Sequence, residues 1–460
     1  MRVSSSFKAE RALVIGLARS GVAAVELLLD LGVPVVASDL RPASELSLDA
    51  AAWESRGVRL ALGEQDEGLL AGVDLVVVSP GVRLDVPIIK AARAAGVAVI
   101  GELELAYRVF EGTWIAVTGT NGKTTTTALT GHLATSAGLA AAVGGNIGDA
   151  ISAEIAGLPR DGIVVAEVSS FQLDATELFR PHVSVLLNVT PDHLDRYGTM
   201  ESYAASKRRV FANQTADDFA VLNVDDERVR ASASQIAASV IPVSAVGEPE
   251  NGVFVRDGAI VSRVGGGDRE VARIADMKLL GPHNVQNALA AVGAAMAVGV
   301  GSEAAGRALA TFEPLEHRME PVARVGGALY VNDSKATNVD SVRYALESYD
   351  VPIVLIAGGR DKGADFGALV AAAAAHVRHA VVLGEAAPAI ERALSGSVPT
   401  ERAATLRDAV RAAAAAAESG DVVLLSPACA SFDMFADFEE RGRRFKAEVL
   451  ALAGHAGEGE

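Results

Sequence analysis

Three times along this chain a short apolar run stops at a glycine turn and gives way to a helical pattern: "ALVIG" (12–16), "WIAVTG" (114–119) and "VPIVLIAGG" (351–359). Runs this short, without polar alternation, fit strands covered on both faces. Strand–helix–strand order then implies a parallel sheet, whose ligand site lies at the carboxyl ends of its strands. At 460 residues the chain is too long for one core, and about three domains are expected.

The first segment, 1–102, carries strands at "ALVIG", "VPVVASD" (33–39) and "VDLVVVSPG" (73–81). Its helix is expected over 22–32, with Val22, Val25, Leu28 and Leu29 on one face. The second segment, 103–314, restarts at "WIAVTGTNGKTTTT" and continues through "GIVVAEV" (162–168), "HVSVLLN" (182–188) and "FAVLNVD" (219–225). A polar, glycine-rich piece at 246–268 reads as a hairpin grafted onto it, and 281–300 as a turn leading into a helix. The third segment, 315–460, alternates "GALYVNDS", "VPIVLIAGG", "HAVVLG" and "DVVLLSPA" with alanine-rich helices, and its tail "GHAGEGE" is expected to fray. The architecture expected is three α/β units.

Half the residues are apolar, as in a globular protein, and the alanine runs read as helix interiors. No uninterrupted apolar stretch reaches the roughly 18 residues of a membrane span. The start lacks the long apolar block of an export signal. The single cysteine, Cys429, excludes an internal disulfide and suits a reducing cytoplasm. With no histidine near it in sequence, a small buried apolar residue is its expected role. A formal charge of −17 argues against broad nucleic-acid or anionic-membrane binding. Anionic small molecules remain open, since they need only local cations and oriented N–H groups.

"GTNGKTTTT" (119–127) is the most specific stretch. A loop cradling phosphate needs glycines for close backbone approach, a lysine for the outer phosphates and a hydroxyl for Mg²⁺. Gly119, Gly122, Lys123 and Thr124 supply these between a strand and a helix, although the usual four-residue spacing of the glycines is shortened. The competing reading is a strand–turn–helix junction with a solvated lysine. A Mg·ATP site also wants a carboxylate on a neighbouring strand end, and Glu167 after "IVVA" fits; it fits a buried ion-pair partner as well. "NVTPDHLDRYG" (188–198) places His193 between Asp192 and Asp195 after another strand, as a metal or phosphate neighbour or as a structural loop histidine.

"GLARSG" (16–21), with Asp39 about twenty residues on, resembles a dinucleotide-binding turn, so a nicotinamide-dependent dehydrogenase enters as an alternative. Ala18 stands where the second glycine should be. A helix N-terminus beside Asp39 and Arg41 could equally hold the nucleotide diphosphate of a substrate, and a tight turn without ligand is the third reading.

Together "GTNGKTTT", "GGNIG" (144–148), "EVSSFQLD" (167–174), "NVTPDHLDRYG", "GPHNVQNALAA", "EHRME" (316–320), "VNDSKATN" (331–338), "GGRDKGADF" (358–366) and "LSPACASFDMFADFEERG" (425–442) resemble the Mur ligases, in order and across all three segments. The shortened glycine loop is that family's form. "EVSSFQLD", "DLR" (39–41) and "SPACASFD" resemble the members that add D-glutamate to UDP-N-acetylmuramoyl-L-alanine. A sister ligase adding a different amino acid is the nearest alternative.

The resemblance implies an α/β chain of three domains, each a mainly parallel sheet with flanking helices: Rossmann-like first and third domains and a P-loop ATPase-like central one. It implies a cytoplasmic, ATP- and Mg²⁺-dependent ligase of peptidoglycan synthesis, monomeric, working through an acyl phosphate. UDP-substrate, ATP and amino acid would bind to 1–102, 103–314 and 315–460 respectively. By resemblance Gly119, Thr120, Asn121, Gly122, Lys123, Thr124 and Thr125 hold ATP, with Asn287, Arg318 and Asp333 as further nucleotide contacts. Thr124, Glu167 and His193 would ligate Mg²⁺, and Lys207 matches a lysine that becomes an anionic ligand on carbamylation. Without the resemblance Lys207 reads as a helical surface lysine. Ser20, Asp39, Arg41 and Ser79 would grip the uridine diphosphate, with Asn146 near the substrate. Lys335, Thr337, Lys362 and Ser431, beside Phe432 and Phe438, would receive D-glutamate. Ser20 and Leu40 stand where some relatives carry threonine, and Phe432 where leucine is common.

Overall fold

The computed structural model describes residues 7–46, 48–146, 148–279, 281–361 and 363–457. Its backbone forms three sheets. The first contains β1 (Ala12–Ile15), β2 (Val35–Asp39), β3 (Arg59–Leu62), β4 (Leu75–Val78) and β5 (Ala98–Gly101), all parallel, in the order β3-β2-β1-β4-β5. β1, β2 and β4 are buried along their whole length, which is why their sequences carry no polar alternation. The strand order reverses between β1 and β4, so a crevice opens at their carboxyl ends. The first helix runs Arg19–Asp30, three residues earlier than its periodicity suggests, and buries Ala24, Val25, Leu27 and Leu28 while Val22 and Leu29 stay half exposed. Gly32, at φ 73°, stops it: Gly32 N donates to Leu29 O and Val33 N to Leu28 O, satisfying the last carbonyls.

The second sheet has nine strands: β6 (Thr113–Thr118), β7 (Ala141–Gly145), β8 (Ile163–Glu167), β9 (Val183–Leu186), β10 (Phe219–Asn223), β11 (Ser239–Ser244), β12 (Val253–Arg256), β13 (Ala259–Ser262) and β14 (Arg269–Arg273). The order is β14-β13-β12-β11-β10-β9-β6-β8-β7, parallel from β7 through β12. The polar piece is a hairpin, as its composition suggests. β12 and β13 pair antiparallel across Asp257 and Gly258, both at positive φ, the two-residue turn that follows strand twist. β6 lies between β8 and β9, and the reversal of order there puts a second crevice at its carboxyl end.

The third sheet contains β15 (Glu320–Val325), β16 (Ala328–Asn332), β17 (Ile353–Gly358), β18 (Val377–Leu383), β19 (Thr400–Arg402) and β20 (Val422–Leu425), ordered β15-β16-β20-β17-β18-β19. Only β15 runs antiparallel. Alternate residues of β17 feed two cores: Ile353, Leu355 and Ala357 face one set of helices, Val354 and Ile356 the other. The final helix extends to Gly457, and the remainder of the tail, 458–460, lies outside the described residues. The strands β3, β5, β7, β15 and β19 escape a periodicity reading because each is partly exposed along its length.

The first two sheets belong to one compact unit, and the third to another that also takes in 190–200 and 277–285. Among the described residues no helix is long and apolar enough to cross a membrane.

In the first unit Gly21 packs its helix directly onto the β1 turn, and a Cβ there would overlap Gly16 O. Gly21→Ala is therefore expected to cost about 3 kcal/mol, the overpacking penalty of a site that cannot give way. Differential scanning calorimetry should show the first unit melting earlier; an unchanged midpoint would refute the close approach.

Candidate active site

The phosphate-type loop leaves β6 at Thr118 and enters the helix Lys123–Ser136. Two glycines permit its path. Gly119 has φ 153° and Gly122 φ 83°, and a Cβ on Gly122 would overlap Asn287 Oδ1. Asn287 comes from the helix Pro282–Ala297, so the sequence-distant pair Gly122 and Asn287 is in contact as expected of one site. Asn188, after β9, braces the loop: its Oδ1 accepts from Asn121 N at 2.8 Å and its backbone O from Thr120 N at 3.0 Å. Lys123 Nζ donates to Gly119 O (3.0 Å) and Thr120 O (2.8 Å), which keeps its charge at the loop. Thr120, Asn121, Thr124 and Thr125 are all buried.

Lys207 departs from the bare-sequence reading. It is 1 % exposed, donates to Gly119 O at 2.7 Å and lies 4.5 Å from the centre of the Tyr203 ring. Its helix, Met200–Arg208, presents this residue inward, which helix periodicity in a polar segment conceals. A buried lysine needs partners, and the loop carbonyl and the aromatic face supply them.

Glu167 ends β8 opposite Val117 of β6 and Gly145 of β7 and is 1 % exposed. Asn146 Nδ2 donates to Glu167 Oε1 at 2.8 Å, and Asn146 N to Glu167 O at 3.0 Å. Asn146 also lines a cleft of about 530 Å³, to which Ser20, Asp39, Arg41 and Ser79 contribute from the ends of β1, β2 and β4. Five residues scattered over 126 positions thus share one cleft, and one of them touches the carboxylate beside the loop.

The cleft's acid is committed. Asp39 accepts from Leu17 N (2.7 Å), Arg41 N (2.9 Å), and Arg41 Nε (3.1 Å) and Nη2 (2.9 Å). Burial pushes its carboxyl up, but the Arg41 side chain and the two backbone donors outweigh that and hold it down at about 2. Asp39 thereby fastens the turn after β1 to the end of β2. Ser79 Oγ donates to Gly16 O at 2.6 Å and closes the same turn from β4. Arg19, Gln65 and Arg83 line the cleft as well, and none was singled out from sequence; their only signal is position after a strand end.

The second unit holds the remaining candidates. His193 sits in the left-handed region at φ 53°, with its N–H donating to Asp192 Oδ1 at 2.9 Å and its Nε2 3.7 Å from Asp192 Oδ2. Asn338 donates to the same aspartate at 3.5 Å. At the carboxyl end of β16, Asp333 is buried and accepts from Ser426 Oγ at 3.0 Å and Met319 N at 3.3 Å. Burial raises its carboxyl to about 6 against the pull of Arg318 and Arg441. His283, half-buried, is lowered to about 4 by desolvation and by Arg318. Lys335 Nζ lies 5.0 Å from the Phe438 ring centre, and Thr337 N donates to Lys335 O at 2.9 Å. Ser431 is buried, whereas Phe432 is 61 % exposed. Lys362 lies outside the described residues.

Sequence reasoning missed Arg441. Its guanidinium donates to Ser334 Oγ (3.0 Å), Ser334 O (2.8 Å) and Cys429 O (3.1 Å), tying the loops after β16 and β20. Cys429, buried beside it, is part of the apolar core, as its lack of a histidine neighbour suggested.

Comparison with known proteins matches three family models in sequence order: "Mur ligase MurD-like, N-terminal domain" over 10–101, "Mur ligase middle domain" over 117–295 and "Mur ligase, glutamate ligase domain" over 317–429. The UDP-N-acetylmuramoylalanine–D-glutamate ligase of Pelotomaculum thermopropionicum is 48% identical over 97% of this chain and 98% of its own length. That of Geotalea daltonii is 45% identical over 97% of this chain and 98% of its own. Among three-dimensional structures, the MurF ligase of Thermotoga maritima in complex with ADP superposes with a TM-score of 0.62 at 15% identity, covering 91% of this chain and 95% of that one. The UDP-N-acetylmuramate–alanine ligase of the same organism gives 0.60 at 19% identity, covering 96% and 100%. These two likenesses bear on the fold.

The buried Asp333 makes stability depend on pH in a stated direction. Its folded value, about 6, lies above the ordinary carboxylate value, so between about 4 and 6 the folded state holds the proton that the unfolded chain has lost. Stability of the second unit is expected to fall as pH rises through that window, by up to about 3 kcal/mol from this group. Asp333→Asn should remove that slope in urea titrations at pH 4 and pH 6; identical slopes in both proteins would refute it.

Proposed function

The chain belongs to the Mur ligase family, and on that premise we propose that it is the ATP-dependent ligase joining D-glutamate to UDP-N-acetylmuramoyl-L-alanine, through an acyl phosphate, in peptidoglycan precursor synthesis. The observation that carries this reading is Asn146. It lines the large cleft of the first two sheets and also donates to Glu167 at the strand end beside the phosphate-type loop. A substrate lying in the cleft would deliver its far end to that carboxylate, where a γ-phosphate could meet it.

In this reading segments 1–102, 103–314 and 315–460 serve the UDP-linked substrate, ATP and the amino acid in turn, in a cytoplasmic monomer. The chemical difficulty is an anion attacking an anion, so the residues that matter neutralise charge and align the reactants. Lys123 exchanges its loop carbonyls for the outer phosphates, while Gly119 and Gly122 let the backbone of Gly119 to Thr125 approach them, the Thr120 and Asn121 N–H groups being held by Asn188. Asn287 fixes the loop through its contact with Gly122, and Arg318 and Asp333 are the further nucleotide residues. The Thr124 hydroxyl, in the first turn of the helix that follows β6, and the Glu167 carboxylate, at the end of neighbouring β8, are hard oxygen donors, the set that suits Mg²⁺. Mg²⁺ bound there would withdraw charge from the phosphate oxygens. His193 is assigned to a second ion. Carbamylation of Lys207 would turn a cation buried at 1 % exposure into an anionic ligand, whose charge a bound Mg²⁺ would offset.

Ser20, Asp39, Arg41 and Ser79 bind the uridine diphosphate end. D-glutamate brings two carboxylates and one amine, and Lys335, Thr337, Lys362 and Ser431 are the positive and hydroxyl-bearing groups assigned to it, with Phe438 beside Lys335 and Phe432 at the rim. No nucleic acid or membrane takes part, in keeping with the charge of −17.

Phosphate release from ATP and UDP-N-acetylmuramoyl-L-alanine should require D-glutamate, and neither L-alanine nor meso-diaminopimelate should replace it. Activity with either of those would transfer the chain to a sister ligase. Lys123→Ala should lower turnover by at least about a thousandfold, the scale of losing a principal charge stabiliser; near-normal turnover would remove Lys123 from the site.

A further inference from the structure

We propose that Asn188 is a positioning residue for the ATP phosphates, its side chain completing the shortened loop and selecting which backbone N–H groups face the nucleotide. This rests on the ATP reading of that loop. The register of β6 against β9 pairs Thr118 with Leu186. Contact between the two segments continues past both strand ends: Leu187 N donates to Thr118 O at 3.1 Å and Thr120 N to Asn188 O at 3.0 Å. The side chain of Asn188 then pairs with both polar groups of the next loop residue. Its Oδ1 accepts from Asn121 N at 2.8 Å, and its Nδ2 donates to Asn121 O at 3.2 Å. A planar amide with an acceptor on one side and donors on the other can stand in for a strand's own peptide unit. Asn188 thus carries the sheet one step further than its backbone does.

The shortened loop makes this pairing matter. Only Thr120 and Asn121 lie between Gly119 and Gly122, where the usual loop has four residues. Both of their N–H groups are engaged by Asn188, so the phosphate oxygens fall to the N–H groups that open the helix Lys123–Ser136. First-turn N–H groups have no acceptor within their own helix and form the positive end of its dipole. Their aim depends on how the loop is held. The anchor is itself fixed: Val189 N donates to Asp226 Oδ2 at 3.1 Å, while Asp226 Oδ1 accepts from Val229 N at 2.9 Å and caps the helix Glu227–Ser232. Gly119 lets the loop lie this close, since a Cβ there would stand 2.9 Å from Leu187 Cβ and 3.3 Å from Asn188 N. Asn188 therefore acts through the loop rather than on the nucleotide.

Calorimetric titration of the full chain with Mg·ADP, alongside initial rates, separates the possibilities. Asn188→Ala should weaken ADP binding and raise KM for ATP about tenfold, the scale of losing two neutral hydrogen bonds that hold the loop. It should leave kcat within about threefold, and KM for the UDP-linked substrate and D-glutamate within about twofold, the pattern of lost uniform binding. Asn188→Leu, close to asparagine in size but unable to hydrogen-bond, should behave as Asn188→Ala does. A defect in Asn188→Ala that Asn188→Leu repairs would assign the effect to packing and overturn the proposal. So would unchanged ADP affinity and KM for ATP in both variants, or a parallel rise of all three KM values with a lowered melting temperature. Each of those results leaves the ligase reading intact. Failure of the unaltered protein to bind ADP would instead overturn the ATP reading of the loop itself.

Discussion

A loop that holds phosphate through its backbone works only if the strand beneath it cannot move, and here that strand is β6, clamped between β8 and β9. Both neighbours are buried along their length, so the register that sets Val117 against Glu167 and Thr118 against Leu186 cannot slip without exposing apolar surface. The remaining site groups are referred to this frame. Glu167 is at the end of one neighbour, Asn188 just beyond the other, and Lys207 and Asn287 reach the loop from helices. At Gly119 and Gly122 such crowding leaves no room for a Cβ, and the same holds at Gly145 against Glu167 O.

Charge is managed locally rather than globally. The chain is strongly acidic, yet its N-terminal cleft is lined by three arginines and one aspartate whose charge is already matched. Low overall basicity discourages polyanions, while a concave site with fixed cations still favours a small anionic ligand. The same economy appears around Lys207, whose burial is tolerated because a carbonyl and an aromatic ring stand where water would otherwise be.

In the second unit the equivalent stitch is Arg441, which binds two strand-end loops at once. Losing one member of so enclosed a set would leave the others buried without partners, so these loops hold their shape as a group. Burial lowers the guanidinium to about 10, still charged at neutral pH, and raises neighbouring Asp333 to about 6. Lys335 and Ser431 are carried by the loops that this arginine joins.

What the sequence by itself determined is the local grammar: apolar runs without alternation, glycine turns at their ends, and Lys-Thr opening a helix. Those features depend on neighbours a few residues apart, which is why the main strands and the phosphate-type loop were legible. Edge strands such as β3 and β19 were not, because a short, half-exposed strand leaves no periodic signature. Which residues face inward across the fold was decided by the tertiary structure alone. Lys207 in a polar helix and Arg441 in the last helix look like solvated charges until the fold brings distant segments beside them. The physical reason is that burial and pairing of a charge are set by what packs against it, and in parallel sheets that partner comes from far along the chain.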